Sequence, residues 1–343
     1  MSGLFYCSMR VGIIGQGFAG TALAWRAHWA GHQLYVFDQG HAHSASWVAA
    51  GLVNPLVLKR KRLVQEAHAY VAAFSPFYDR VERETGLSVR YSGEIHEVLS
   101  DAAGENAWAS LGAERGFEPF IGPIRSVSDP RIQASATASV HHSARLRAQT
   151  YLSASREFFA AQHTVREEAV DSLEYQNGAW RVNDIEDLEV VLLAEGVQAR
   201  WTHQYFGELP FAPTKGEGLK IRWEGPEVPV ALHKNVFLLP DGDGSYQAGS
   251  TYAWEGFDEG PTEKARAEIL EKLRGWFDQE VEVLDHWTGV RPTMRDRQPV
   301  FGWHSELPGL GYLNGLGSRG ALTSPLLSDR LWGLHSGRTS QKS

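Results

Sequence analysis

Apolar positions along the chain change period several times, and each change marks an element. A short apolar strand over Arg10–Ile14 gives way to an alanine-rich stretch from Thr21 to about Ala30, helical in composition and stopped by Gly31. A second apolar strand, Gln33–Phe37, follows. From 63 to 84, Leu63, Ala67, Tyr70, Val71, Phe74, Phe77 and Val81 recur at helical spacing, with Pro76 expected to break or kink the helix. Strand-like alternation takes over from 87 to 99, around a turn or bulge at Gly93. A short helix near 107–115 and a longer one over 144–159 precede strands at 164–170 and 178–183. The run Glu-Val-Val-Leu-Leu-Ala over 189–194 has no polar alternation, as a parallel strand buried on both faces requires. Strands fill 217–254, with Asp241-Gly-Asp-Gly244 as a hairpin turn. Ala265, Ile269, Leu273 and Trp276 share one helix face after Pro261-Thr262, and a strand over 280–288 runs into Gly289. Residues 310 to 335 read as a strand, a glycine-rich turn and a helix. The pattern predicts an α/β chain, α+β overall, with two domains interleaved in sequence.

The first strand, helix and second strand enclose Gly15-x-Gly17-x-x-Gly20, and Asp38 ends the second strand. The glycines, with Phe18 and Ala19 between them, form a dinucleotide-binding fingerprint in its required context. Gly15 permits the tight turn, Gly17 lets a pyrophosphate approach the backbone, and Gly20 allows close helix–strand packing. The helix start offers free N–H groups and partial positive charge to phosphates, and Asp38 offers acceptors to ribose hydroxyls. These residues alone leave NAD and FAD both open.

Composition narrows the rest. A length of 343 residues is about two domains' worth, and a net charge of −8 argues against non-specific attraction to nucleic acid or anionic membranes. The single cysteine, Cys7, excludes an intrachain disulfide and fits a reducing, cytoplasmic setting. No histidine spacing points to zinc, His141-His142 reads as a loop, and no apolar run approaches the ~20 residues of a membrane span. The basic run Lys59-Arg-Lys-Arg62 reads either as a solvated helix start or as an attractor for an anionic ligand. No nucleophile–base motif is present, so chemistry would come from a cofactor.

Three further segments complete the pattern: Ser44 to Pro55, Thr288-Gly-Val-Arg-Pro to Gly302, and Tyr312-Leu-Asn-Gly-Leu-Gly-Ser-Arg-Gly to Pro325. The last repeats the physics of the first fingerprint, with glycines opening a helix. Together, in this order, they resemble the D-amino-acid oxidase/glycine oxidase superfamily of FAD-dependent oxidoreductases, from Val11 to about Trp332. The late motif is also similar to the FAD domain of the bifunctional tRNA wobble-uridine modifying enzyme.

The resemblance implies a Rossmann-like FAD-binding domain (1–86, 145–215 and 286–343) interleaved with an antiparallel or mixed-sheet substrate domain (87–144 and 216–285). It implies non-covalent FAD, because Cys7 precedes the first strand and does not match the attachment position of some relatives. Gly15, Gly17 and Gly20 would hold the pyrophosphate, flanked by Ser44 and Ser46, with Asp38 on the ribose. Ala49, Ala50 and Gly51 would pass the isoalloxazine, Val165 would touch adenine, and Gly315, Gly317 and Ser318 would face the pyrimidine end. Arg291, in Gly-x-Arg-Pro, would pair with a substrate carboxylate through two parallel hydrogen bonds, with Arg319 also facing the substrate. Either Tyr246 or Tyr252 would supply a substrate-side tyrosine.

The implied reaction is hydride transfer from the Cα–H of a neutral amine or amino acid to flavin N5, with no protein acid or base required. The imine product would hydrolyse, and electrons would pass to oxygen or another acceptor. Two rivals remain: a tRNA-modifying flavoenzyme, and a flavin-binding protein without amine turnover.

Overall fold

A computed structural model describes residues 8–40, 44–91 and 93–340, with 336–340 as backbone only. Cys7 and His41 lie outside the described residues.

Strand β1 (Arg10–Ile14), helix α1 (Phe18–Trp29) and strand β2 (Gln33–Phe37) open a six-stranded sheet. Its order is Thr164–Arg166, β2, β1, Val190–Leu193, Leu310–Asn314, Val300–Trp303. The first five strands are parallel and the last is an antiparallel edge. Val190–Leu193 is buried at every position, as its unbroken apolar run requires. On one face Val11, Ile13, Val36 and Leu192 pack against α1 and the helices Ala67–Thr85, Ala148–Gln162 and Gly320–Ser340. On the other, Ile14, Phe37, Val191 and Leu193 meet Trp180 and Val182 of a three-stranded antiparallel sheet over residues 173–188.

A second, eight-stranded sheet has the order Glu282–Arg291, Thr214–Arg222, Tyr246–Gly249, Val236–Pro240, Ala231–Lys234, Ile95–Leu99, Ala136–Val140, Ile121–Ser126. All neighbours are antiparallel except Ala231–Lys234 with Ile95–Leu99. Helix Glu263–Arg274 buries Ile269 and Leu273 against it, each side chain adding about 1.5–3 kcal/mol. The Thr262 hydroxyl caps that helix by accepting from Ala265 N–H at 3.2 Å. Strand Glu282–Arg291 belongs wholly to this sheet and crosses the expected boundary at 285/286. Arg291 thus stands at a strand end, beside the first sheet's last glycine turn: Gly317 N–H donates to Pro292 O at 3.1 Å.

Two local readings need correction. Of the break or kink expected at Pro76, the break does not occur: the helix runs on from Ala67 to Thr85. Pro76 and Ala72 lie on the exposed side, so the carbonyl that Pro76 leaves without a donor can bond water. The basic run is not a helix start either. Strand Leu56–Val57 pairs with Arg62–Leu63 around a 3₁₀ turn, Leu58–Arg60, which makes 59–62 a hairpin tip.

Candidate active site

The carboxyl ends of β1, Val190–Leu193 and Leu310–Asn314 open onto one cleft of about 2220 Å³. That exceeds the ~300–1,000 Å³ of a small-ligand pocket and suits a long, two-part ligand. Both glycine turns line it.

At the first turn, Gly15 has φ +92°, a conformation that side chains rarely adopt. A Cβ on Gly20 would lie 1.7 Å from the Gly15 carbonyl oxygen, so α1 can start this close to β1 only with glycine. Gly17, Phe18 and Ala19 line the cleft at the α1 start, which has no acid in its first turn. Ser46 Oγ accepts from Phe18 N–H at 3.0 Å. Asp38 accepts from Gln16 N–H at 2.7 Å and Gly40 N–H at 2.9 Å, which fixes its carboxylate on the cleft wall. Gln16 is fully buried with Nε2 unpartnered, a donor left over in the cradle itself. These residues fit a nucleotide diphosphate and its ribose. Ser44, Ala49, Ala50 and Gly51 continue along the same cleft, and Gly315, Gly317 and Ser318 line it at the second turn. The two helix starts touch, since a Cβ on Gly320 would meet Phe18 at 2.7 Å.

Val165 is not on the cleft. It pairs with Val36 in the sheet, and the wall beyond it is made by Glu167, Glu168, Ala169 and Val170. Strand Thr164–Arg166 ends before the chain turns over the cleft, so this later stretch, and not Val165, lines it.

Beside the second turn, Arg291 donates to Ser250 Oγ at 2.9 Å and to the Thr251 carbonyl at 3.3 Å. Its guanidinium sits 4.4 Å from the Tyr252 ring centre, within cation–π range. A hydroxyl, a carbonyl and a ring carry no charge, so no anion neutralises Arg291 among the described residues. An ion pair with Asp296 is absent; that carboxylate accepts from Gln298 N–H at 2.9 Å. Burial pushes the Arg291 pKa below its usual value. Burial also lowers Arg319, with Tyr252 opposing the shift and Arg62 and Arg297 adding to it.

The tyrosine question has a geometric answer. Tyr252 is 49% exposed and lines the cleft. Tyr246 is 2% exposed, stacks on Trp223 at 3.9 Å and accepts from Val228 N–H at 2.8 Å. Its substrate-side candidacy falls; it belongs to the core under the second sheet. Tyr246→Phe should destabilise the protein by about 1–3 kcal/mol by orphaning a buried N–H, with KM unchanged. Tyr252→Ala should do the reverse. Thermal melts and steady-state kinetics on both variants check this, and a KM change in Tyr246→Phe would overturn the assignment.

Sequence reasoning missed the residues that make room for Arg291. A Cβ on Gly216 would lie 1.9 Å from Arg291 Nη2, and one on Gly218 would lie 2.1 Å from the Trp287 ring. Alternate residues of a strand share a face, so Gly216 and Gly218 form a bare floor under Arg291 and Trp287. The alternating Lys215 and Glu217 are buried, at 3.4 Å from each other. They clasp the segment that carries Tyr252: Glu217 accepts from Thr262 N–H at 2.7 Å, and Lys215 Nζ donates to Gly260 O at 2.8 Å. The signal was present as Lys-Gly-Glu-Gly in a strand, where two alternate glycines mark close approach.

A family model described as DAO, FAD dependent oxidoreductase, matches residues 10–331. The chain belongs to this family. Family membership makes FAD the cofactor, and the cradle described above fits it. Glycine oxidase from Bacillus licheniformis is 21% identical over 341 residues, covering 93% of this chain and 90% of that protein. The tRNA 5-methylaminomethyl-2-thiouridine biosynthesis bifunctional protein MnmC of Legionella pneumophila (strain Lens) is 27% identical over 200 residues, 48% of this chain. That match spans only 29% of the bifunctional protein's own length. The crystal structure of a glycine oxidase from Bacillus cereus ATCC 14579 superposes with a TM-score of 0.82 at 19% identity, covering 96% of this chain and 98% of that one. The family fold is thereby established. Among the described residues no His/Cys/Asp/Glu cluster could hold a metal, and no helix is long and apolar enough to cross a membrane.

Proposed function

We propose that this FAD-dependent oxidoreductase oxidises the C–N bond of an amino acid or secondary amine. The observation that carries the reading is Arg291: a guanidinium held over bare backbone at the second glycine turn, with no anionic partner. Two of its five N–H groups are taken by Ser250 and Thr251, which fix its plane and leave donors for a substrate carboxylate. FAD, when bound, supplies the two-electron acceptor. The chain's part is positioning: Arg291 holds the carboxylate so that the reacting C–H bond has one orientation, and Tyr252 stacks against that arginine. Trp287 and Trp254 line the cleft with apolar surface, which favours a neutral amine. Oxygen or another acceptor would receive the electrons.

The test is anaerobic addition of D- and L-amino acids, N-methyl glycines and secondary amines to the yellow protein. Bleaching of the oxidised-flavin band by a carboxylate-bearing amine is the expected result. Silence across the panel would leave a flavin-binding protein without amine turnover. A tRNA-modifying reading is favoured by the Legionella relative and by the basic tip 59–62 on the cleft. The net charge of −8 opposes it. Salt-dependent tRNA binding at low ionic strength would support that alternative.

A further inference from the structure

Arg291 alone can pair with one carboxylate, yet it does not stand alone. Arg291, Arg297 and Arg319 line one small polar pocket of about 30 Å³, with Thr214, Thr293, Tyr252 and the Gly315–Ser318 turn. Arg62 acts on Arg319 from the hairpin tip, and Lys59, Arg60 and Lys61 line the same cleft. Arg62 and Arg297 both repel the Arg319 charge, against which Tyr252 acts in the opposite sense.

Several arginines elsewhere in this chain are matched to acids. Arg131 pairs with Asp129 at 2.6 Å, Arg145 with Asp241 at 2.6 Å, Arg330 with Glu66 at 2.6 Å, and Arg90 with Asp79 and Glu82. Three of the acids that share the cleft are engaged away from Arg291, Arg297 and Arg319. Asp38 holds the first glycine turn, Glu195 accepts from Trp201 and Thr202, and Glu97 bonds His233 at 2.7 Å. A chain with eight excess negative charges thus gathers cations at one end of one cleft, and among the described residues Arg62, Arg291, Arg297 and Arg319 form no ion pair. Like charges brought together without counter-charge oppose folding, and a bound anion removes that penalty.

We propose that the site takes an amine substrate with a second acidic group, and that Arg319, Arg297 and Arg62 form the subsite for it. The inference rests on the reading of Arg291 as the first carboxylate's partner. The shared ligand chemistry is a second anion, either a carboxylate or a phosphate ester on the side chain or N-substituent.

The test uses the FAD-loaded protein and two probe sets. Unreactive acids are titrated by their perturbation of the flavin spectrum: acetate and propionate against malonate, succinate and glutarate. Amines are tested anaerobically: glycine and N-methylglycine against iminodiacetate, aspartate and O-phosphoserine. At least one diacid should bind about tenfold or more tighter than the monoacids, the gain of one charge-assisted contact. Arg297→Gln and Arg62→Gln should bring that ratio towards one, and the double variant should abolish it. Both residues are exposed, so melting temperatures near wild type are expected. A preference for O-phosphoserine over aspartate would assign the subsite to phosphate.

Equal affinities for mono- and diacids, or a preference that survives the double variant, would overturn the proposal. So would tRNA binding whose salt dependence is lost in these variants without any diacid preference; the arginines would then serve an RNA backbone. Tighter diacid binding without flavin bleaching would remove amine oxidation and keep the subsite. Bleaching by monoacid amines alone, with no diacid preference, would remove only the subsite.

Discussion

Arg291→Ala should raise KM for carboxylate-bearing amines by about a hundredfold or more, with FAD still bound at full stoichiometry. The magnitude follows from losing a charge-assisted pair worth about 3 kcal/mol, at 1.4 kcal/mol per factor of ten. Arg291→Lys should recover only part of the loss, because an ammonium cannot make two parallel bonds to one carboxylate. Gly216→Ala offers an independent check that leaves the guanidinium in the chain. Its Cβ would lie 1.9 Å from Nη2, so Arg291 must swing away. The same KM defect is expected, again with a yellow protein. Steady-state kinetics and flavin absorbance measure both quantities. Unchanged KM in Arg291→Ala, or loss of flavin, would sink the assigned role.

Gly20→Ala should do the opposite: remove FAD. The new Cβ would sit 1.7 Å from the Gly15 carbonyl, which is backbone and cannot rotate aside. Helix α1 must then lift from β1, and its N–H groups leave the cradle. FAD affinity should fall at least about a hundredfold, or roughly 2.7 kcal/mol, and the protein should purify colourless. Dialysis against FAD measures this directly. A yellow Gly20→Ala protein with stoichiometric FAD would show that the first turn is not the anchor.

The elements that carry the cleft were legible because their signals are local. β1, α1, β2 and Asp38 follow from an apolar run, three glycines and a second apolar run within about thirty residues, the size of one βαβ unit. The second turn repeats that pattern, and Val190–Leu193 is an apolar block with few alternatives. Tyr246 and Tyr252 were not separable. They lie six apart, so period-two reasoning gives them one face, but the strand ends at Gly249 and Tyr252 belongs to the clasped segment. The basic run 59–62 was ambiguous for a related reason. Its placement depends on a hairpin closed by Leu56 and Leu63, a pairing that composition does not announce. That Val165 falls off the cleft was not legible, because nothing local says where a three-residue strand leaves its sheet. The arginine cluster is less legible still, since Arg62, Arg297 and Arg319 come from three distant segments.

The strand Thr214–Arg222 has a consequence for anyone who would redesign this protein. Its odd and even positions serve different masters. Gly216 and Gly218 set how closely Arg291 and Trp287 lie over the strand, while Lys215 and Glu217 set how firmly the Tyr252 segment is tied down. The two can therefore be tuned as separate dials by substitutions at adjacent positions. Inserting one residue at Thr214 would exchange them, sending a charged pair into the cleft and two glycines into the clasp.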